Sequence, residues 1–267
     1  MTGATISDPP ILYEKTGGDE PLLLVHGLMA TGEIFSPVLD AFARRYTVIV
    51  PDLRGHGSST HLEGPLTVEH HTRDLIRLLD HLDIRGADVL GYSQGGAVAL
   101  QIANDHPERV RRLVLVNAFA HNGLTVRERL ENRVSLWALR LLGTGTLARI
   151  ASRAVAGEGK PLTPDQARHL RKMMASSDRE RSVEEMRAMI SFDARQWLEM
   201  IRCRALIIRG SEDTAVPRPH AEMLAGGIPD AQLVVIEGAG HALVWTHPEE
   251  LVEVVERWLR NPASAQW

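Results

Sequence analysis

Gly91-Tyr92-Ser93-Gln94-Gly95-Gly96 sets one serine among three glycines where the chain changes character. Before it, Ala87-Asp88-Val89-Leu90 is short, apolar and bounded by Gly86, the pattern of a buried strand. After it, Ala97-Val98-Ala99-Leu100-Gln101-Ile102-Ala103 is alanine-rich, long enough for a helix, and stopped by Pro107. A strand that becomes a helix within about one residue strains its hinge and crowds the neighbouring positions, and glycines at 91, 95 and 96 supply room. The turn lifts the Ser93 hydroxyl above the sheet edge, with the N–H groups of a helix start behind it. A glycine-rich turn with an incidental serine matches the same five-residue pattern by chance, so the rest of the chain decides.

Outward from the serine, short β-rich runs alternate with helical patterns from about residue 11 to Asn117. Pro21 to His26, Tyr46 to Pro51, Ala87 to Gly91 and Val110 to Asn117 read as strands, and Thr67 to Leu82 as a helix. The alternation resumes near Arg204, with strands at Ala205 to Ile208 and Leu233 to Ile236 and a helix at Pro219 to Leu224 between them. In the last helix Leu251, Val254, Val255, Trp258 and Leu259 fall at i, i+3, i+4, i+7 and i+8, with Pro248 in its first turn. The expected fold class is α/β, a mostly parallel, doubly wound sheet.

Between Phe119 and Phe192 the strand signal disappears. Val126, Leu130, Val134, Trp137 and Leu141 form one helical stripe, and Leu147, Ile150, Ala154 and Val155 another. Thr163-Pro164 and Ser182-x-x-Glu185 read as helix starts, the second as a capping box. The chain therefore divides into a first part of an α/β core at 1–118, a helical cap at 119–195, and the rest of the core at 196–267. Five of the eight methionines, at 173, 174, 186, 189 and 200, lie in or beside the cap, where they suit ordinary packing between small helices or an adaptable apolar surface facing a substrate. Arg127, Arg129 and Arg133 fit a solvated helix face, with attraction of an acidic substrate as the alternative.

A chain of 267 residues that is 44% hydrophobic can bury one large core. Its net charge of −4, with acidic and basic residues interleaved, points away from nucleic acid and anionic membrane as partners. The single cysteine, Cys203, excludes an internal disulfide and a cysteine-based metal cluster, and reads as a small apolar residue beside a strand. Met1 to Pro10 lacks the pattern of a signal peptide, and no apolar run reaches membrane-spanning length, so a soluble cytoplasmic protein is expected. The residues leave oligomeric state open.

A serine hydroxyl needs a base, and the base an orienting carboxylate. Gly210-Ser211-Glu212-Asp213-Thr214 follows one late strand, and Gly238-Ala239-Gly240-His241 follows the next. In a parallel sheet both loops emerge at the carboxyl edge, where Ser93 also lies. This order of serine, acid and histidine, on these loops, resembles the α/β-hydrolase fold superfamily in its serine-nucleophile branch, carboxylesterase-like with a helical cap. The resemblance covers the chain outside the helical insertion. It implies Ser93 as nucleophile, His241 as base and Asp213 as acid, with Glu212 pointing away. It implies an oxyanion loop at His26-Gly27-Leu28-Met29, the backbone N–H of Leu28 pairing with that of Gln94. Asn117 occupies the family's alternative acid position. His26 reads as structural, His56 as a turn brace and His247 as a helix-entry residue.

The resemblance also narrows the chemistry. Serine at 93 departs from the aspartate of epoxide hydrolases and haloalkane dehalogenases and from the cysteine of dienelactone-type hydrolases; Gln94 departs from the tryptophan of proline aminopeptidases. His241-x-x-x-Trp245-x-His247 echoes carbon–carbon bond hydrolases, although Tyr92 and Ala242 stand where they usually have asparagine and tryptophan. The expectation is a serine esterase acting on a small to medium apolar carboxylic ester, a small-molecule substrate, with no cofactor and no metal. Carbon–carbon hydrolysis, enol-lactone hydrolysis and perhydrolysis on the same triad stay open, as does a ligand-sensing or partner-binding protein with a slow triad.

Overall fold

The computed structural model describes residues 4–5, 12–18, 20–154 and 160–260. Val155 of the second cap stripe and most of Met1 to Pro10 lie outside these residues. In chain order the elements are β1 (Ala4–Thr5), β2 (Leu12–Gly17), β3 (Glu20–Val25), α1 (Ser36–Ala43), β4 (Tyr46–Pro51), α2 (Val68–His81), β5 (Ala87–Tyr92), α3 (Gln94–Asp105) and β6 (Val110–Val116). Then come α4 (Val126–Ala154), α5 (Pro164–Ala175), α6 (Arg179–Ser191), β7 (Arg204–Gly210), α7 (Arg218–Gly227), β8 (Ala231–Ile236), α8 (Leu243–Thr246) and α9 (Pro248–Arg260). Eight strands form one sheet in the order β1-β2-β4-β3-β5-β6-β7-β8. The pairings from β4 to β8 are parallel, and β1 and β2 join antiparallel at one edge.

Successive side chains of a strand point to opposite faces, so a strand buried on both faces is apolar throughout. Leu23 and Val25 of β3, Leu113 and Leu115 of β6 and Ile207 of β7 pack with α2, α3 and α7. Their neighbours Leu22 and Leu24, Val114 and Val116, and Leu206 and Ile208 pack on the other face with α1, α8 and α9. The expected stripe of α9 docks here through Leu251, Val255, Trp258 and Leu259, with the Arg204 guanidinium 5.0 Å from the Trp258 ring centre.

Helices α4, α5 and α6 all fall between β6 and β7. Gly143, at φ 75°, breaks α4 into two helical stretches. Thr163 opens α5 as expected, its side chain accepting from Gln166 N and its own N–H donating to the Gln166 side chain. The Ser182 capping box is a misreading. Asp178 caps α6 by accepting from Arg181 N at 2.9 Å, and Ser182 lies within the first turn, its hydroxyl donating to the Asp178 carbonyl. Glu185 is left free for another role, and it is fully buried. The α4 stripe faces outward, with Trp137 62% exposed and Val126, Leu130, Val134 and Leu141 exposed beside it. Four of the five methionines pack inward: Met173 and Met186 are buried and Met174 and Met189 are half-buried, whereas Met200 is exposed.

Cys203 is half-buried, and burial pushes its thiol up to about 11, so it stays protonated as an apolar filler would. Because Trp258 is 2% exposed at the centre of the α9 face, Trp258→Ala is expected to cost about 3–5 kcal/mol of unfolding free energy in urea titrations. Phe at the same position should cost less.

Candidate active site

Ser93 sits between β5 and α3 at φ 55° and ψ −122°, a backbone that L side chains rarely adopt. Its N–H donates to the Val116 carbonyl at 2.9 Å, which ties the turn to β6. Glycine is required around it: a Cβ on Gly95 would meet the Val25 carbonyl, and one on Gly96 the Ala118 methyl. A Cβ on Gly27 would lie 3.0 Å from the Ser93 Cβ and 3.5 Å from its Oγ, so the Gly27-Leu28 segment runs directly beside the hydroxyl.

The loops after β7 and β8 bring the other two groups in. His241 Nε2 lies 3.0 Å from Ser93 Oγ, and His241 Nδ1 lies 2.8 Å from Asp213 Oδ2. Asp213 Oδ1 accepts from the N–H groups of Ala215 and Val216, both at 2.9 Å, and the carboxylate is buried. In the tautomer that carries its proton on Nδ1, that N–H donates to Oδ2. Nε2 is then free to accept from the serine hydroxyl. Asp213, and not Glu212, makes this contact, as the sequence indicates. Gln94 begins α3, so its N–H has no carbonyl four residues back within the helix and points out of the helix N-terminus.

Two further residues shape the site that motif reasoning did not assign. Asn117, at φ 47° just past β6, accepts from Gly210 N at 2.9 Å and donates to the carbonyls of Gly240 and His241 at 3.2 and 3.0 Å. Its single amide thus joins the acid-bearing loop to the histidine-bearing loop. The Tyr92 hydroxyl donates to the same His241 carbonyl at 2.8 Å, and its ring lies against the imidazole with centres 5.4 Å apart. Burial, followed by the Asp213 charge, pushes the Tyr92 phenol up, so it stays a donor. The signal for both was position alone, one residue before the serine and one past a strand.

His26, His56 and His247 make structural contacts. His26 Nε2 accepts from Leu53 N and its Nδ1 donates to the Gly27 carbonyl, both at 2.9 Å, which shapes the loop beside Ser93. Burial, with His56 alongside, lowers its pKa to about 4. His56 Nδ1 contacts the Arg54 carbonyl in the turn it was expected to brace, and its Nε2 lies 2.8 Å from Glu185. Trp245 Nε1 donates to the Ile34 carbonyl and His247 Nδ1 pairs with the Thr246 hydroxyl. Arg127 pairs with Glu131, and Arg129 donates to the Gly123 carbonyl.

A model of the alpha/beta hydrolase fold family matches residues 20–248, most of the chain. The chain belongs to the α/β-hydrolase fold family. It is 30% identical to RutD of Caulobacter vibrioides, a protein named for carbamate hydrolysis, over 93% of this chain and 95% of that one. An esterase from Thermogutta terrifontis superposes with a TM-score of 0.86 at 27% identity, covering 97% of this chain and 98% of the other. An enol-lactonase from Burkholderia xenovorans superposes at 0.85 with 24% identity over 97% of this chain and all of its own, a likeness of fold alone. The family and the names of these relatives support hydrolase activity. No helix among the described residues is long and apolar enough to cross a membrane.

Asn117→Ala would strand the buried Gly210 N–H, and a stability loss of about 1–3 kcal/mol with slower turnover is expected, read by urea unfolding and ester assay. A second expectation concerns acid. His26 is neutral in the fold, so its folded pKa lies below the unfolded value, and the stability it contributes is present above about pH 6.5. That stability is lost as pH falls towards about 4, by up to about 3 kcal/mol. Unfolding midpoints at pH 7 and 4.5 should drop less in His26→Asn than in the wild type.

Proposed function

We propose that this hydrolase cleaves small to medium apolar carboxylic esters through an acyl-enzyme on Ser93, with residues 119–195 as its cap. The observation that carries this reading is the continuous contact from Ser93 Oγ through His241 to Asp213, with the serine held at a strained turn beside Gly27-Leu28. As Oγ bonds to the ester carbonyl carbon, His241 Nε2 takes its proton, and the imidazolium is stabilised by Asp213. The carbonyl electron pair moves to oxygen, which accepts from the N–H groups of Leu28 and Gln94. Collapse breaks the bond to the alcohol, which receives the proton from His241. Water then gives a proton to His241 and its oxygen to the acyl carbon, and the acid departs as Ser93 regains its proton. Every step draws on these side chains, two backbone amides and water.

The apolar character of the substrate is supported by the cluster around Met29, where Leu28, Met174 and Met189 pack half-buried beside Leu139, Val183 and Met186. A second reading, carbamate cleavage, is favoured by the similarity to RutD, because a carbamate carbonyl passes through the same tetrahedral intermediate.

Ser93→Ala is expected to reduce hydrolysis of p-nitrophenyl butyrate at least about 10³-fold with an unchanged unfolding midpoint, and to abolish labelling by a fluorophosphonate probe. A folded variant with near-wild-type turnover would refute the assignment. A panel of esters of increasing acyl length, an aryl carbamate and a vinylogous diketone ranks the ester, carbamate and carbon–carbon readings by kcat/KM. A wild type that resists the probe and turns over none of them favours a binding protein.

A further inference from the structure

Glu185 is a carboxylate with no exposure to solvent on α6, in the helical insertion, yet its partners all belong to the core. Its Oε1 accepts from Gln94 Nε2 at 2.8 Å and lies 3.4 Å from His71 Nε2; its Oε2 lies 2.8 Å from His56 Nε2. Gln94, His56 and His71 are themselves 1%, 3% and 0% exposed. These three come from α3, the loop after β4 and α2, so one side chain of the insertion gathers three separate parts of the core. One turn earlier on the same helix, Arg181 donates to the carbonyls of Leu62 and Gly64, and the preceding residue, Glu184, accepts from Leu66 N. This face of α6 is fitted to the core by charge-assisted hydrogen bonds.

Gln94 is the residue that follows the nucleophile. Its Oε1 is buried without a partner, so the orientation of its amide rests on the bond from Nε2 to Glu185. A flipped amide would bring that oxygen against the carboxylate. The other oxyanion donor, Leu28, sits next to Met29, which is buried at φ 54° among Leu139, Val183 and Met186 of the insertion. Both amides facing the reacting oxygen are thus backed by the insertion, one by a polar contact and the other by apolar packing.

We propose that Glu185 is a positioning residue for acyl transfer: by holding Gln94 it fixes the first peptide of α3, whose N–H meets the oxyanion, and couples that geometry to the seating of the insertion. This rests on the serine-hydrolase reading above. A bare carboxylate so near a developing oxyanion would oppose it, and His56 offsets that charge at 2.8 Å. Burial works against both charged forms, yet their mutual attraction prevails, holding the Glu185 carboxyl below the usual carboxylate range and His56 above the usual imidazole one. Asp52 on the same loop adds to the same effect on His56, while His26, with ring centres 5.0 Å apart, stays neutral.

The test compares Glu185→Ala, Glu185→Gln and Gln94→Leu in the full chain, with p-nitrophenyl butyrate as substrate and a trifluoromethyl ketone as a mimic of the tetrahedral intermediate. A displaced oxyanion donor should lower kcat about 10²-fold in Glu185→Ala and leave KM nearly unchanged. Affinity for the ketone should weaken in parallel. Glu185→Gln, which keeps an acceptor for Gln94, should recover most of the loss. Gln94→Leu, which keeps the backbone N–H but cannot be held, should reproduce it, and the double variant should lose no more than either single one. If Glu185→Ala does not fold, Gln94→Leu decides alone. A folded variant with unchanged kcat, or with a raised KM and unchanged ketone affinity relative to substrate, overturns the proposal. A wild type that neither turns over the ester nor takes the fluorophosphonate probe overturns the underlying reading as well; a wild type that does both, with indifferent variants, overturns this proposal alone.

Discussion

The turn at Ser93 is a problem of space before it is one of chemistry. A strand and a helix can meet through one residue only if the adjoining backbone segments approach more closely than side chains allow. At Gly91, Gly95 and Gly96 any Cβ would land on backbone or methyl atoms of its neighbours. That closeness brings β3, β5, α3 and the segment after β6 together at one point of the carboxyl edge. Everything else in the site is arranged around the resulting half-buried serine.

From there the site is assembled by the sheet. Loops after β3, β5, β6, β7 and β8 converge, and each contributes one functional or bracing element: the Gly27-Leu28 segment, Ser93, Asn117, Asp213 and His241. Parallel strands make this convergence automatic, since all their carboxyl ends lie along one edge. What the sheet alone does not provide is fine orientation. Asn117 and Tyr92 provide it for His241, both by hydrogen-bonding its main-chain carbonyl.

The sequence made legible the elements that carry strong periodicity or dense glycine. The strands from Pro21 onward, the α9 stripe and the order of Ser93, Asp213 and His241 could all be read because side-chain type determined them. The bracing of His241 escaped because a carbonyl is common to every residue, so no pattern of side chains announces it. Strand β2, Leu12-Tyr13-Glu14-Lys15-Thr16-Gly17, is too polar in composition to stand out, and pairing with β4 defines it. The role of Glu185 is hidden because Ser-x-x-Glu describes spacing without burial. The same four residues serve a helix start or a buried contact depending on where the preceding cap falls, and Asp178 caps first. The Val126 to Leu141 stripe was legible as a helix, but its direction was not, since amphipathicity identifies a face and leaves its partner unspecified.

The way the insertion meets the core has a consequence for modularity. Loops at the carboxyl edge of such sheets are exchangeable parts, replaced or lengthened while the scaffold persists. Here α6 contacts the core through a buried carboxylate and two imidazoles, and α4 and α6 together enclose Met29. A substitute insertion from a relative would bring a new pocket wall but remove the counter-charges and the apolar seat for those core groups, leaving His56, His71 and Gln94 facing a surface not made for them. Changing what this hydrolase accepts therefore favours substitutions on individual faces of the insertion over wholesale transplantation, and the residues that must travel with any graft are those that face the core.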